Sequence, residues 1–388
     1  MSSELNVCVD RQQAGKLFSE TKEFIFRYSE TSLPEQFVSL TMPIRQKDYS
    51  HHRLHPIFEM HLPEGYLLSI IKKQFAKITD TDDFGLLKLL APNFRGRVEY
   101  VRDNQLEKSP LHLDTLLHSD NPSLFDELVS RFALRSALSG VQPKVLAQLQ
   151  NKATLQLDDF IVKAWGPDYP ALALNEYCCM LASKYAGIPV PEFYLSDDES
   201  LFIMKRFDLK EDGSALGFED MCVLQAKKRE DKYTGSYEQV AKTIKIFVSP
   251  ENKTSSLEQF FKILVISNAL QNGDAHLKNF GLVYENTESI RLAPAYDIVC
   301  TTAYINQDIP ALTLAGSKKW IARNALERFG MQACELTASR AGELYNECLQ
   351  ALDKLSTYIE TRLAQPLNNE QLMVLKQLQT LIANETAA

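Results

Sequence analysis

The sequence predicts an α+β fold of two lobes, a sheet-rich one followed by a mainly helical one, with an extra α+β subdomain at the N-terminus. Three observations predict it. Short apolar runs bounded by Asn, Pro, Asp or Gly dominate the chain up to about residue 218. Longer stretches with apolar residues at helical spacing dominate after it. Polar residues able to carry chemistry collect where the helical part is interrupted, at 271–300, and a cleft between two lobes is a common ligand site. A chain of 388 residues has room for two or three such units, expected at 1–105, 106–218 and 219–388.

Within the first unit "NVCVD", "EFIFRY" and "FVSLTM" read as strands. "GYLLSIIKKQFAKI" (65–78) reads as a helix, with apolar residues at 67, 68, 70, 71, 75 and 78. "VRDNQLEKSPLHL" is a connector. From about 130, "KVLAQLQ", "TLQLDDFIVKAW" and "SLFIMKRFD" read as strands. Between the last two, "ALNEYCCMLASKYAG" (173–187) reads as a helix ended by Gly187. Further on, "SLEQFFKILVISNAL" (256–270) opens on Ser with Glu258 in its first turn. The helices "NALERFG", "RAGELYNECLQALDKLSTYIETRL" and "NEQLMVLKQLQTLIANE" follow it. "FGLVY" and "SIRLAPAYDIV" are short strand pieces inside the interruption.

A 45% hydrophobic fraction and 24% charge are those of an ordinary soluble globular protein. The net charge of −8 disfavours general nucleic-acid binding, which favours basic domains. The mixed run "QAKKREDK" (225–232) is expected to be a solvated surface loop. Seven cysteines, an odd number with no Cys-x-x-Cys, point to free, mostly buried thiols in a reducing cytosol. "MSSELNVCVDRQQ" lacks the basic start and apolar core of a signal peptide. The most apolar stretch, "FFKILVISNAL", contains Lys262 and is far short of the ~20 residues of a membrane span. A cytoplasmic location is expected.

The candidate chemistry centres on "NGDAHLKNFGLV" (272–283). Asp274 and Asn279 are followed by Asp297 in the apolar context "APAYDIVC", where a carboxylate is costly without a cation or donors. This oxygen-rich set suits Mg²⁺ beside a phosphate, whereas zinc prefers Cys and His. His276, with no second spaced His or Cys, is a poor zinc ligand. Protein kinases place a catalytic-loop Asp, an Asn five positions on, and a second Asp later. A polar turn with a buried capping Asp is the plainer alternative. Lys163 sits in "DFIVKAW" with Glu176 thirteen residues on, the pattern of a strand Lys on ATP phosphates held by a helix Glu; an edge-strand Lys facing water is the alternative. Upstream, "SALSGVQPKVLAQL" (136–149) has Gly140 among small residues and Lys144 ahead of a strand. Such a turn lets backbone N–H groups approach phosphate, although it is neither G-x-G-x-x-G nor Walker A. The order of loop, Lys strand, Glu helix, Asp/Asn loop and Asp strand is that of a two-lobed protein-kinase-like fold. His51, His52 and His55 read as a surface cluster rather than a metal site, and Arg206 with Asp208 as a structural ion pair.

The ordered set "SGVQPK" (139–144), "FIVKAW", "NEYCCMLASKYAGIPVPE" (175–192), "MKRFD", "EDMC" (219–222), "NGDAHLKNF" and "LAPAYDIV" resembles the HipA-type serine/threonine kinases, the toxin half of bacterial HipA–HipB toxin–antitoxin modules. "FEMHLPEGYLLSIIKKQF" (58–75) is similar to that family's N-terminal subdomain. The resemblance implies phosphate transfer from ATP, with Mg²⁺, to a protein serine. In known members the target is an aminoacyl-tRNA synthetase, and the outcome is dormancy (persistence). It also implies a small HipB-like DNA-binding antitoxin, through which alone DNA is reached. By motif position Asp274 is the catalytic base, supported by His276 and Lys278, and Asn279 and Asp297 hold the metal. The implied ATP site comprises Gly140, Val141, Gln142, Lys144, Lys163 and Glu176, with the hinge "GFED" (217–220) supplying Phe218 and Glu219.

One departure concerns autophosphorylation. Many relatives carry a self-phosphorylated serine three positions before the loop Gly, and here that position is Ala137. Ser139 is the replacement candidate and Ser136 a poorer one. A phosphate there adds roughly −1.5 to −2 charges where ATP phosphates must sit. Two other readings are a small-molecule kinase of aminoglycoside-kinase type and an inert kinase-like binding module in an antitoxin–DNA complex.

Overall fold

A computed structural model of the chain describes residues 4–20, 23–62, 82–91, 96–101, 111–112, 117–118, 144–150, 157–163 and 169–387. It divides into two compact units. One comprises residues 1–164, 203–231 and 283–287, the other 165–202, 232–282 and 288–388. The helix expected at 65–78 lies outside the described residues.

The first unit contains a five-stranded antiparallel sheet built from β1 (Glu4–Val9), β2 (Gln12–Glu20), β3 (Glu23–Tyr28), β4 (Tyr49–His51) and β5 (Val98–Val101), in the order β4-β3-β2-β1-β5. Val9 pairs with Gln12, leaving a two-residue turn of Asp10 and Arg11, both at positive φ (50° and 64°). That is the backbone of a type I′ hairpin, whose twist matches the strands it joins. One face buries Val7, Val9, Leu17 and Phe26, and the Phe26 ring packs on Phe58 with centroids 5.5 Å apart.

"FVSLTM" departs from the expected strand. Residues 37–42 carry a single bridge, Ser39 with Met42. Phe37, Val38 and Met42 are buried, so the apolar signal was real. The backbone is satisfied by a side chain instead of a ladder. The Tyr28 hydroxyl donates to the Met42 carbonyl at 2.5 Å and accepts from the Val38 N–H at 2.8 Å.

A second sheet in this unit pairs Lys144–Gln150 antiparallel with Leu157–Lys163, so that Lys144 stands opposite Lys163. Leu111–His112 runs parallel beside the first of these, and residues 203–205 lie beside the second. Arg206 and Asp208 form the expected ion pair, at 2.8 and 2.5 Å. The His51 and His55 rings lie 5.4 Å apart, centroid to centroid, tilted at 53°. No group of three or more His, Cys, Asp or Glu among the described residues has the arrangement of a metal site.

The second unit is mainly helical. Leu172–Tyr185 ends as expected at Gly187, whose φ is 68°. Gly187 N–H bonds the Lys184 carbonyl and Ile188 N–H that of Ser183, the paired bonds of a Schellman cap. Tyr237–Phe247 follows a capping box of Ser236 and Gln239. Pro250–Ala269 begins six residues before the expected start, with Ser249 at its N-cap and Pro250 at N1. Glu258 therefore lies well inside this helix. Arg323–Ala333, Ala338–Leu363 and Asn369–Thr386 complete the unit. Ala338–Leu363 packs on Leu172–Tyr185 and Asn369–Thr386 and buries Leu344, Cys348, Leu352, Leu355 and Ile359, a stripe at helical period.

Two further expectations met different outcomes. All seven cysteines are free and buried. "QAKKREDK" is not a purely solvated loop. Arg229 is drawn in by Asp83 at 2.8 Å and Glu59 at 3.9 Å, and Lys232 is buried. Among the described residues no helix is long and apolar enough to cross a membrane.

Candidate functional site

The loop carrying Asp274 leaves the helix Pro250–Ala269 through a second Schellman pair. Asn272 N–H bonds Ser267 O at 2.8 Å and Gln271 N–H bonds Asn268 O at 3.2 Å. Gln271 occupies the left-handed position (φ 50°) that glycine usually fills. Thr301 holds this exit, since its hydroxyl donates to the Gln271 carbonyl at 3.1 Å and accepts from the Gly273 N–H at 2.8 Å. A Cβ on Gly273 would stand 2.0 Å from Asp308 Oδ2 and 2.7 Å from Thr301 Oγ1, so a side chain there would force them to shift.

Asp274 follows. Its N–H bonds Asn272 Oδ1 at 3.2 Å, and the His276 N–H bonds its carbonyl at 2.7 Å. Its carboxylate is partly exposed, and Oδ1 lies 3.9 Å from His276 Nε2. A 3-10 turn, Leu277–Asn279, then carries Lys278 and Asn279. Asn279 Nδ2 donates to the main-chain carbonyl of Asp297 at 3.2 Å, and Tyr296 donates to the Lys278 carbonyl at 2.9 Å. These two bonds bring the Asp297 segment to the Asp274 loop. Asp297 has φ 56°, a left-handed conformation that Asp tolerates better than most residues. Asn279 Oδ1 is buried and without a hydrogen-bond partner, a cost that a cation or ligand donor would offset. That orphan acceptor, next to Asp297, fits a hard cation with oxygen ligands.

Glu176 is fully buried in the helix Leu172–Tyr185. Its neighbour Asn175 is clamped to Cys300, accepting from its N–H at 2.8 Å and donating to its carbonyl at 2.9 Å. The helix is thus fastened three residues beyond Asp297.

The remaining candidates belong to the first unit. Lys163 is the last residue of its strand and is buried, at 1% exposure. Phe218 and Glu219 lie on the strand Gly217–Asp220. Phe218 packs edge-on against Phe207, centroids 5.4 Å apart. The Glu219 carboxylate accepts from Ser39 Oγ at 2.6 Å, Leu40 N–H at 2.7 Å and Tyr284 Oη at 2.6 Å. Burial nonetheless holds its pKa above the usual carboxylate value, with those donors pulling the other way. Its side chain is therefore committed to the protein. Ser136, Ser139, Gly140, Val141 and Gln142 lie outside the described residues, and Lys144 is described for its backbone alone.

Sequence reasoning missed Tyr233, Thr301 and Asp308. Tyr233 donates to Asp274 Oδ1 at 2.7 Å from 41 residues upstream. No local spacing signals a contact made by the fold.

Known proteins bear on this arrangement. The family model of the HipA-like C-terminal domain matches residues 136–355, and that of the HipA N-terminal domain matches residues 5–101. "Putative kinase Y4dM" of Sinorhizobium fredii is 28% identical over 291 residues, covering 69% of this chain and 67% of its own length. A "Putative kinase" of Haemophilus influenzae is 30% identical over 200 residues, covering 46% of this chain and 57% of its own length. Among solved structures, the chain is similar to one from the Shewanella oneidensis MR-1 toxin–antitoxin complex of HipA, HipB and operator DNA. The TM-score is 0.70 at 16% identity, covering 99% of both chains. At that identity the likeness establishes the fold, which is α+β, two-lobed and kinase-like.

Proposed function

We propose, from the premise that the chain belongs to the HipA family, that it is an ATP-dependent protein kinase acting on serine or threonine, and the toxin half of a toxin–antitoxin pair. The observation that carries this reading is the Asn279–Asp297 hydrogen bond, which joins two oxygen-bearing residues to the loop of Asp274 and leaves Asn279 Oδ1 unpaired. In this reading Asp274 is the base. Its carboxylate accepts the proton of the acceptor hydroxyl as that oxygen bonds the γ-phosphorus and ADP leaves. Asn279 Oδ1 and the Asp297 carboxylate would hold Mg²⁺, which would supply charge neutralisation for the phosphates. Lys163 meets the phosphates from its strand, and Glu176 is the helix acid of the set. The backbone of Phe218 and Glu219 faces the adenine, and Gly140, Val141, Gln142 and Lys144 cover the phosphates. His276 and Lys278 support the loop.

The partner in this reading is a HipB-like DNA-binding antitoxin, in line with the HipA–HipB–operator assembly of the Shewanella relative. The substrate is a translation-related protein such as an aminoacyl-tRNA synthetase, met in the cytoplasm. Ser139, and secondarily Ser136, is the self-phosphorylation site. The test uses purified chain, Mg²⁺ and [γ-³²P]ATP with cell lysate. The expected result is a discrete labelled protein band that Asp274→Asn abolishes. Label confined to small metabolites, or transfer by Asp274→Asn at the wild-type rate, overturns the reading.

A further inference from the structure

The contact between Tyr233 and Asp274 has no part in the chemistry assigned above. The phenol donates to Oδ1 at 2.7 Å, and the same oxygen lies 3.9 Å from His276 Nε2. Among the described residues no protein donor reaches Oδ2. Tyr233 is itself held. Its ring stands edge-on to the His276 imidazole with centroids 5.0 Å apart. Its carbonyl accepts from Lys318 Nζ at 3.3 Å. Two residues on, the Gly235 carbonyl accepts from the Thr313 N–H at 3.1 Å. Tyr233 as a residue is still 41% exposed, and the held ring stands beside a carboxylate that remains open to an incoming group.

We propose that Tyr233 is a positioning residue for phosphate transfer, which pins Asp274 by Oδ1 and thereby presents Oδ2 to the acceptor hydroxyl. This rests on Asp274 being the base. A free Asp carboxylate turns easily about χ2, where the torsional wells are broad. A hydrogen bond to one oxygen selects the orientation in which the other meets the acceptor, and pre-orientation of this kind lowers the barrier to reaction. The anchored ring and carbonyl distinguish Tyr233 from a loose plug that substrate would have to expel. In the step itself the acceptor O–H gives its proton to Oδ2. The acceptor oxygen bonds the γ-phosphorus as the bond to the β,γ-bridging oxygen breaks, and ADP departs with that electron pair. The Tyr233 proton stays on its oxygen.

The test is Tyr233→Phe in the full chain, read by steady-state Mg·ATP hydrolysis with water as the acceptor. The expected result is a kcat lower by on the order of tenfold, with KM for ATP and the thermal midpoint unchanged. Tyr233→Ala, which also removes the wall on His276, falls further. An unchanged or increased kcat, or a loss expressed in KM for ATP, overturns the proposal. Asp274→Asn run alongside separates the two ideas. If it hydrolyses ATP normally, the base assignment fails; if it is inactive while Tyr233→Phe matches wild type, the role of Tyr233 alone fails. A wild-type chain that neither hydrolyses ATP nor transfers its γ-phosphate overturns both.

Discussion

Tyr284 donates its phenolic proton to Glu219 Oε1 across 2.6 Å in the interior of the first unit, and Ser39 and Leu40 complete the shell of that carboxylate. Burial raises the folded pKa of Glu219 above its ordinary 4.5, so between the two values the native state binds more protons than the unfolded one. The stability this group contributes is full below about pH 4.5 and is lost as pH rises through the folded value. In Glu219→Gln that dependence disappears, while an amide still meets Ser39 and Tyr284. Urea midpoints of the two proteins, measured across a pH series, should change in the mutant's favour as pH rises. A pH-independent difference would refute the account. Tyr284→Phe removes one donor from the buried acid and should cost about 1–3 kcal/mol.

Gly273→Ala would place a methyl group 2.0 Å from Asp308 Oδ2 and 2.7 Å from Thr301 Oγ1. Something must shift, and Asp274 is the next residue. Phosphate transfer should fall by about a hundredfold, the scale of an ångström-sized misplacement, while ATP binding measured by calorimetry stays near wild type. Retention of full activity would mean the Asp274 loop yields without consequence.

Asn279→Ala and Asp297→Asn each remove one candidate metal oxygen. Wild-type protein with Mg·ATP at about 100 times Kd should gain about 2.7 kcal/mol of stability, visible as a raised thermal midpoint. Both variants should lose most of the Mg²⁺-dependent part of that rise and keep the midpoint of the free protein. A full Mg²⁺-dependent rise in either would remove that residue from the metal site.

Burial raises the thiol pKa of Cys178 and Cys179 well above the ordinary value, and those of Cys334 and Cys348 to about 12. Thiolate is the reactive species, so native protein should react negligibly with a thiol reagent at pH 8. In guanidinium all seven thiols should titrate. Rapid native labelling would identify a segment that opens.

The helical unit was largely legible because its apolar residues repeat at one period over long stretches, as Leu344 to Ile359 do. Where polar residues open a helix the period is silent, and so the Pro250 start, followed by Glu, Asn, Lys and Thr, was placed too late. The strand Gln12–Glu20 escaped notice because few of its residues are buried. In 37–42 the burial was foreseen but the backbone's partner, the Tyr28 hydroxyl, was not. Asp274, Asn279 and Asp297 could be grouped from spacing and residue type, but the bond from Asn279 Nδ2 to the Asp297 main-chain carbonyl could not. Tyr233 could not be anticipated, because its approach to Asp274 depends on where Lys318 and Thr313 hold its segment.

The segments that match the two HipA family models meet at Glu219. Ser39 and Leu40 belong to the N-terminal match, Glu219 and Tyr284 to the C-terminal one. A gene truncated between them would encode a C-terminal piece with a buried acid stripped of two of its three donors. The two matched segments therefore depend on one another, and a C-terminal piece made alone should be the less stable for it.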